Sequence, residues 1–453
     1  MDYDLVVIGG GAAGLGAARA AREHGVTTAL ISNGPLGGDC TWTGCVPSQS
    51  LIEAAAEGLD FRAAMRRVRA SIDTIAATED VEALNDEGID VFSGQAQFIS
   101  PGTLLVGKHH IGASKVVLAT GSTPVLPPVP GLDAAHVHTT DSIFDLAGKP
   151  ESIAVVGGGV VGCELGQALS RLGIPTTVME ASDRLLPGIE AEAGEILRRR
   201  FLGEGIEVVT GAAVEAVEHR IDRQLVTVSD GRVFEAECLL WATGRRPVTR
   251  GLDVDKAGVE LTEHGYIRTD EHLATTGSGV WAAGDVTGLM PFTHAAYAMG
   301  RMATGYALTT RNRTYSTDAI PAVVYTDPEI AYVGVREDRA PDSARVAYLP
   351  LDDIDRAIVA DRTDGYVKLI ADRRKGLGHR GGGRLIGASI MAPHAGEMIQ
   401  PVVLAMTADT FAGRLAQATA AYPSWAYGVQ LAAAQLVMEI GGRTARSPGL
   451  RSD

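Results

Sequence analysis

The amino-acid sequence predicts an α/β protein in which two Rossmann-like dinucleotide-binding units precede a C-terminal α+β domain. Three observations lead there. The run Leu5-Val6-Val7-Ile8-Gly9-Gly10-Gly11-Ala12-Ala13-Gly14 is echoed by Ile153-Ala154-Val155-Val156-Gly157-Gly158-Gly159-Val160-Val161-Gly162, and self-similarity at a domain-sized interval marks a duplicated unit. Each copy reads as an apolar strand, a G-x-G-x-x-G turn, a helical pattern (17–24 and 163–172) and a second strand (27–31 and 176–179). A second echo pairs Lys115-Val116-Val117-Leu118-Ala119-Thr120-Gly121 with Cys238-Leu239-Leu240-Trp241-Ala242-Thr243-Gly244, both buried-strand runs that end in glycine.

A third apolar run, Val280-Trp281-Ala282-Ala283-Gly284-Asp285, places an acid at a strand tip, where open α/β sheets hold ligands, so Asp285 is expected to bind a cofactor. From residue 319 the texture changes to alternating strands (322–325, 366–370, 385–390) and then helices (395–407, 427–440). The expected domains are therefore 1–148, 149–270, a short central segment 271–318 that completes the first site, and 319–453. The basic, glycine-rich stretch 372–383 reads as a solvated hairpin tip, and residues 447–453 are expected to fray.

Composition narrows the function. With 40 basic against 55 acidic residues in 453, the net charge of −15 argues against nucleic acid and against anionic membrane as partners. Four cysteines are too few for a secreted disulfide framework, the first residues lack the basic and long apolar regions of a signal peptide, and no 18-residue apolar span occurs. A cytoplasmic location follows as the expectation, and with it a chemical rather than structural use for any disulfide.

A glycine turn between strand and helix lets a pyrophosphate approach backbone N–H groups at the helix N-terminus. Gly9, Gly11 and Gly14 form the first such turn and Gly157, Gly159 and Gly162 the second. The acid that holds a ribose diol belongs at the tip of the second strand. Glu180 lies 23 positions past Gly157, and a carboxylate there repels a 2′-phosphate, so the second unit should favour NADH over NADPH, with Arg184 nearby as an opposing charge. The same count of 23 from Gly9 reaches Ser32, whose hydroxyl can bond a ribose more weakly.

Cys40 and Cys45 flank four residues in Gly37-Gly38-Asp39-Cys40-Thr41-Trp42-Thr43-Gly44-Cys45-Val46-Pro47-Ser48, just ahead of a helical pattern over 49–59. A helix start favours the thiolate, the nucleophile of disulfide exchange. The spacing suits a local ring that reduction opens. Two core thiols, or half of a zinc site, are the other readings, although no His/Cys pair at ligand spacing lies elsewhere. Cys163 and Cys238 read as core packing.

Taken with the cysteine box and the two glycine turns, residues 119–121, 157–164, 242–247, 283–286 and 325–331 make the chain resemble the pyridine nucleotide–disulfide oxidoreductases, the family of dihydrolipoamide dehydrogenase, glutathione reductase and mercuric reductase. Pro350-Leu351-Asp352, Arg356-Ala357, His394-Ala395-Gly396-Glu397 and Tyr422-Pro423-Ser424 look most like mercuric reductase. The resemblance implies a homodimer of FAD, NAD(P), central and dimerisation domains. It places Gly38, Thr120, Gly121 and Gly244 among the cofactor contacts, Asp285 on the FAD ribityl chain, and Thr293, His294 and Ala295 along the flavin. It also implies a Cys40–Cys45 disulfide, with Cys45 nearer the flavin and Cys40 the interchange thiolate that meets substrate.

Three departures stand out. The family's C-terminal His, which shuttles a proton, is replaced by Tyr422. The lysine that pairs with the glutamate beside flavin N5 is replaced by Gln49, leaving Glu164 without its cation, so its pKa should rise if it is buried. The tail lacks the vicinal cysteines of mercuric reductase. The catalytic set expected is thus Cys40, Cys45, Glu164 and Tyr422, with no metal. Three functions compete: reduction of a small disulfide, persulfide or soft metal ion through Cys40, direct reduction of quinones by the flavin, or redox sensing without significant turnover.

Overall fold

The computed structural model describes residues 1–134, 137–309 and 314–449; of the tail 447–453 expected to fray, residues 450–453 lie outside the described residues, and the Gly449 N–H is held by Glu337. The chain builds three main sheets. In the first, strands Asp90–Ser93, Thr28–Ser32, Asp2–Ile8, His109–Leu118 and Val280–Ala282 run parallel in that order, and the meander Ala96–Ser100, Thr103–Val106 continues from the first half of His109–Leu118. Leu5, Val6 and Val7 are fully buried, as a parallel strand covered on both faces requires.

The helix Ala12–Glu23 packs on Thr293–Leu308 so closely that a Cβ on Gly300 would stand 1.9 Å from the Ala13 carbonyl oxygen. Residues 280–308 therefore return to the first sheet instead of staying with the second. The second sheet repeats the pattern, with Glu207–Val209, Thr176–Met179, Ile153–Val156, Cys238–Trp241 and Val137–His138 all parallel. The ribbon Ser122–Pro124 with Arg245–Pro247 joins the two units, Arg246 opposite Thr123.

The C-terminal sheet is antiparallel, ordered Ala322–Val324, Glu329–Gly334, Arg384–Ala392, Tyr366–Asp372, Arg345–Pro350. The helix expected over 395–407 divides into Ala395–Met398 and Gln400–Thr407, with Pro401 in the first turn of the second piece, where its missing N–H costs nothing. The expected 427–440 helix runs Trp425–Gln435. Among the described residues no helix is long and apolar enough to cross a membrane.

The duplicated glycine turns are among the tightest points of the described residues. Gly14 and Gly162 each approach the carbonyl oxygen of Gly9 or Gly157 so that a Cβ would lie 1.8 Å from it. Gly14→Ala overpacks a site with backbone on the opposing side and should lower stability by about 1–3 kcal/mol or more. Thermal unfolding checks this, and an unchanged midpoint would contradict the contact.

Candidate functional site

The parallel strands of the first sheet end on one cleft of about 640 Å³, which is where an open α/β sheet binds its ligand. Gly9 and Gly11 line its floor, Ser32 the tip of the second strand, Thr120 and Gly121 the next strand end, and Asp285 the last. Gly11 and Gly38 meet backbone to backbone, since a Cβ on Gly38 would stand 2.7 Å from the Gly11 Cα. The result is a bare peptide cradle at the start of helix Ala12–Glu23, open to an anion. Gly14 lies behind this surface and shapes the turn without lining the cleft. The Ser32 hydroxyl donates to the Gly34 carbonyl at 2.9 Å, which leaves its lone pairs for a ribose. These features fit the pyrophosphate and ribose of FAD.

Both cysteines open onto the same cleft. Cys40 is half-buried in the short helix Gly38–Trp42, and Cys45 is exposed as the first residue of Cys45–Ala56, with Pro47 in that first turn. The helix thus begins four residues earlier than the periodicity over 49–59 suggests, and the thiol sits at its very start. The pair is present as free thiols, and Cys45 Sγ lies against the Thr293 hydroxyl.

The two sulfurs act on each other's protonation: Cys40, helped by the Thr293 hydroxyl, brings Cys45 down to about 6, while Cys45 and burial push Cys40 well up. Thr293 Oγ1 lies 3.1 Å from the Cys45 sulfur. Cys45 thus gives up its proton more readily than Cys40.

Thr293 lines the cleft, whereas His294 and Ala295 do not. Helix Thr293–Leu308 turns by about 100° per residue, so Thr293 and Ala296 share the cleft face. Ala295 is buried in the core, and His294 points to the Pro321 carbonyl at 2.7 Å and stacks on Phe292.

Glu164 lies on the second-unit helix Val160–Arg171, whose one face grips the segment entering the C-terminal sheet. Glu164 Oε1 accepts the Tyr325 N–H at 2.8 Å, Gln167 Oε1 accepts the Asp327 N–H at 2.7 Å, and Arg171 reaches the Asp327 carboxylate at 2.8 Å. Burial raises Glu164 to about 7, eased by the Tyr325 N–H and reinforced by Cys45, with no cation acting on it. Gln49, one turn beyond Cys45, supplies no charge.

In the second unit, Gly157 (φ +113°) fits beneath the Ala242 carbonyl, while Gly159 and Gly244 face open space. Glu180 is fixed by two backbone donors, Gly158 N–H and Ser182 N–H, both at 2.7 Å. Arg184 donates to the Pro187 carbonyl at 2.9 Å and to Ile189 at 3.4 Å. Its charge is engaged by the following turn. Tyr422, by contrast, does not line the cleft; its hydroxyl donates to Asp355 at 2.6 Å, which raises its pKa. Cys163 and Cys238 are buried, as expected of core thiols.

Sequence reasoning missed Arg245. Its Nε donates to the Ser122 hydroxyl at 2.7 Å, Ser122 donates to Asp285 at 2.7 Å, and its Nη2 pairs with Asp39, beside Cys40. Arg245 also lines the cleft, where it can face a pyrophosphate. The signal was available: Thr120-Gly121-Ser122-Thr123-Pro124 aligns with Thr243-Gly244-Arg245-Arg246-Pro247, and the ribbon brings these two segments together.

Two family profiles match the chain, one described as pyridine nucleotide-disulphide oxidoreductase over residues 3–300 and its dimerisation domain over residues 320–433. Mercuric reductase of Bacillus cereus is 33% identical over 454 residues, covering 95% of this chain and 71% of the relative. NAD(P)H dehydrogenase (quinone) of Mycobacterium tuberculosis is 32% identical over 473 residues, covering 96% and 94%. Among solved structures, the Cu(II) complex of the HOCl-induced flavoprotein disulfide reductase RclA from Escherichia coli matches with TM-score 0.88 at 28% identity, over 97% of this chain and all of that one (100%). LpdA from Mycobacterium tuberculosis matches with TM-score 0.85 at 31% identity, covering 96% and 100%.

The Glu164 environment is testable through stability. Native Glu164 holds its proton more tightly than the unfolded chain does, so the penalty is absent below the ordinary 4.5, grows as pH rises towards 7 and is constant above. Glu164→Gln keeps an acceptor for Tyr325 N–H and should stabilise the protein at pH 8 by on the order of 3 kcal/mol, with no gain near pH 4. Urea unfolding at the two pH values reads the difference; a variant no more stable than wild type at pH 8 contradicts the assignment.

Proposed function

Because the chain belongs to the pyridine nucleotide-disulphide oxidoreductase family, and is thus an oxidoreductase that uses FAD and NAD(P)H, we propose that it is a cytoplasmic, homodimeric reductase in which Cys40 and Cys45 pass electrons from NADH to a small disulfide, a persulfide or a soft metal ion. The carrying observation is the pair of free cysteines, both open to the cofactor cleft and one of them at the start of a helix. Bound FAD supplies hydride acceptance from the nicotinamide and two-electron delivery to the sulfurs. Gly9, Gly11, Gly38 and Arg245 would hold its pyrophosphate, Asp285 its ribityl chain and Ser32 its ribose. Gly157, Gly159, Gly162 and Gly244 would shape the second site, where Glu180 accepts the adenosine diol of NADH. Arg184, turned to backbone carbonyls, supports that preference.

The sulfur chemistry closes without an added base. With Cys45, whose pKa is lowered, as the thiolate, the Cys40 proton passes to it as Cys40 attacks one sulfur of the substrate. The substrate S–S bond breaks, a Cys40 mixed disulfide forms and one substrate thiolate leaves. Cys45 then attacks Cys40, restoring the Cys40–Cys45 bond and expelling the second substrate sulfur, to which its proton passes. Two electrons move, and charge is conserved. Tyr422, bound to Asp355 with its pKa raised, offers a hydrogen bond instead of a base. A soft cation would be bound between the two sulfurs, and the mercuric reductases among the relatives support that option.

A second reading has its own support: the quinone-named relative and the absence of a histidine in the C-terminal box suit direct electron delivery to quinones. Cys40→Ser separates the two. Under the first reading NADH-dependent reduction of a small aromatic disulfide falls by about a hundredfold or more with FAD retained; retention of that activity overturns it. Alkylation of the reduced wild type by iodoacetamide should titrate with a midpoint near 6 and modify Cys45 first. A midpoint at the ordinary thiol value contradicts the lowered Cys45 pKa.

A further inference from the structure

The loop between Glu180 and helix Ala191–Gly203 grips the middle glycine of the second turn on both sides. Glu180 accepts the Gly158 N–H, and Leu186 N–H donates to the Gly158 carbonyl at 2.8 Å. Leu186 does so at φ +51°, a left-handed conformation strained for leucine, and Leu185 occupies the space a Gly158 Cβ would need. Strain of this kind persists only where surrounding structure over-determines it.

Those surroundings come from the C-terminal sheet. Arg336 reaches the Pro187 carbonyl at 3.5 Å. Glu190, buried at the end of the loop, accepts the Glu337 N–H at 2.8 Å and Lys368 Nζ at 3.3 Å. Lys368 has a side chain only 5% exposed and also meets Glu192 at 3.4 Å and Glu337 at 2.9 Å, against the rings of Tyr348 and Tyr366. Arg446, near the end of the chain, pairs with Glu337, and Tyr348 donates to Glu192. A buried ion-pair cluster of this sort is weak evidence for stability alone but defines a geometry sharply, because losing one member strands the others.

We propose that Lys368 is a positioning residue for the nicotinamide dinucleotide. Tied to three carboxylates, it anchors the 180–190 loop that clamps Gly158, so the phosphate-binding turn of the second unit takes its shape from the C-terminal domain. The inference rests on the reading that the second unit binds NADH.

The test uses the FAD-loaded full-length enzyme, with ADP-ribose binding by calorimetry and NADH kinetics with a quinone acceptor. Lys368→Met should raise both the ADP-ribose Kd and the KM for NADH about tenfold, while kcat at saturating NADH and FAD content stay at wild-type levels. Loss of stability alone would not produce that split. Glu190→Gln, which leaves Lys368 paired with Glu192 and Glu337, should raise both constants about two- to threefold and serves if the Met variant fails to fold. Wild-type constants in Glu190→Gln and in any folded Lys368→Met overturn the inference alone. A wild-type enzyme that binds no ADP-ribose overturns the assignment of the second site beneath it.

Discussion

The placement of two sulfur atoms, one of them at the start of a helix, governs what this cleft can do. Away from the start of helix Cys45–Ala56 and from the Thr293 hydroxyl 3.1 Å from Cys45, the pair would be two ordinary thiols on a cofactor groove. There, the Cys45 pKa is lowered, chiefly by Cys40, and one sulfur can be activated by its neighbour. The surrounding architecture serves that pair. The first sheet ends on it, the returning helix Thr293–Leu308 supplies the hydroxyl, and the ribbon carrying Arg245 pins Asp39 next to Cys40.

Loss of the usual base and of the usual lysine gives the site a particular balance. Tyr422 is engaged with Asp355, and Glu164 is buried with no cation acting on it. Both substitutions remove positive charge that would otherwise favour thiolates. The dithiol is consequently expected to keep a single negative charge instead of two, which suits exchange with a good leaving group or capture of a soft cation better than reduction of an unactivated disulfide.

Much of this was legible in the sequence because it is local. A glycine turn needs its glycines at fixed offsets whatever the rest of the chain does, so Gly9 to Gly14 and their echo announce the fold, and Glu180 falls at a countable distance. The cysteine box is equally self-contained. Arg245, Lys368 and the Leu186 turn were not legible, since each acts on a segment that the chain reaches only through the tertiary fold: Arg245 on Asp39, Lys368 on Glu190. His294 and Ala295 stay off the cleft for a simpler reason. The flavin-facing segment was read as a continuous stretch, whereas a helix offers a cleft one residue in three or four, here Thr293 and Ala296.

Anaerobic titration of the FAD-loaded protein with NADH tests the central claim most directly, because it counts electrons. If the two sulfurs stand in the electron path, the oxidised protein takes up two equivalents of NADH per FAD, and the first produces a long-wavelength absorbance band while the yellow flavin spectrum largely survives. Complete bleaching of the flavin by a single equivalent, with no such band, would show that Cys40 and Cys45 accept nothing from it.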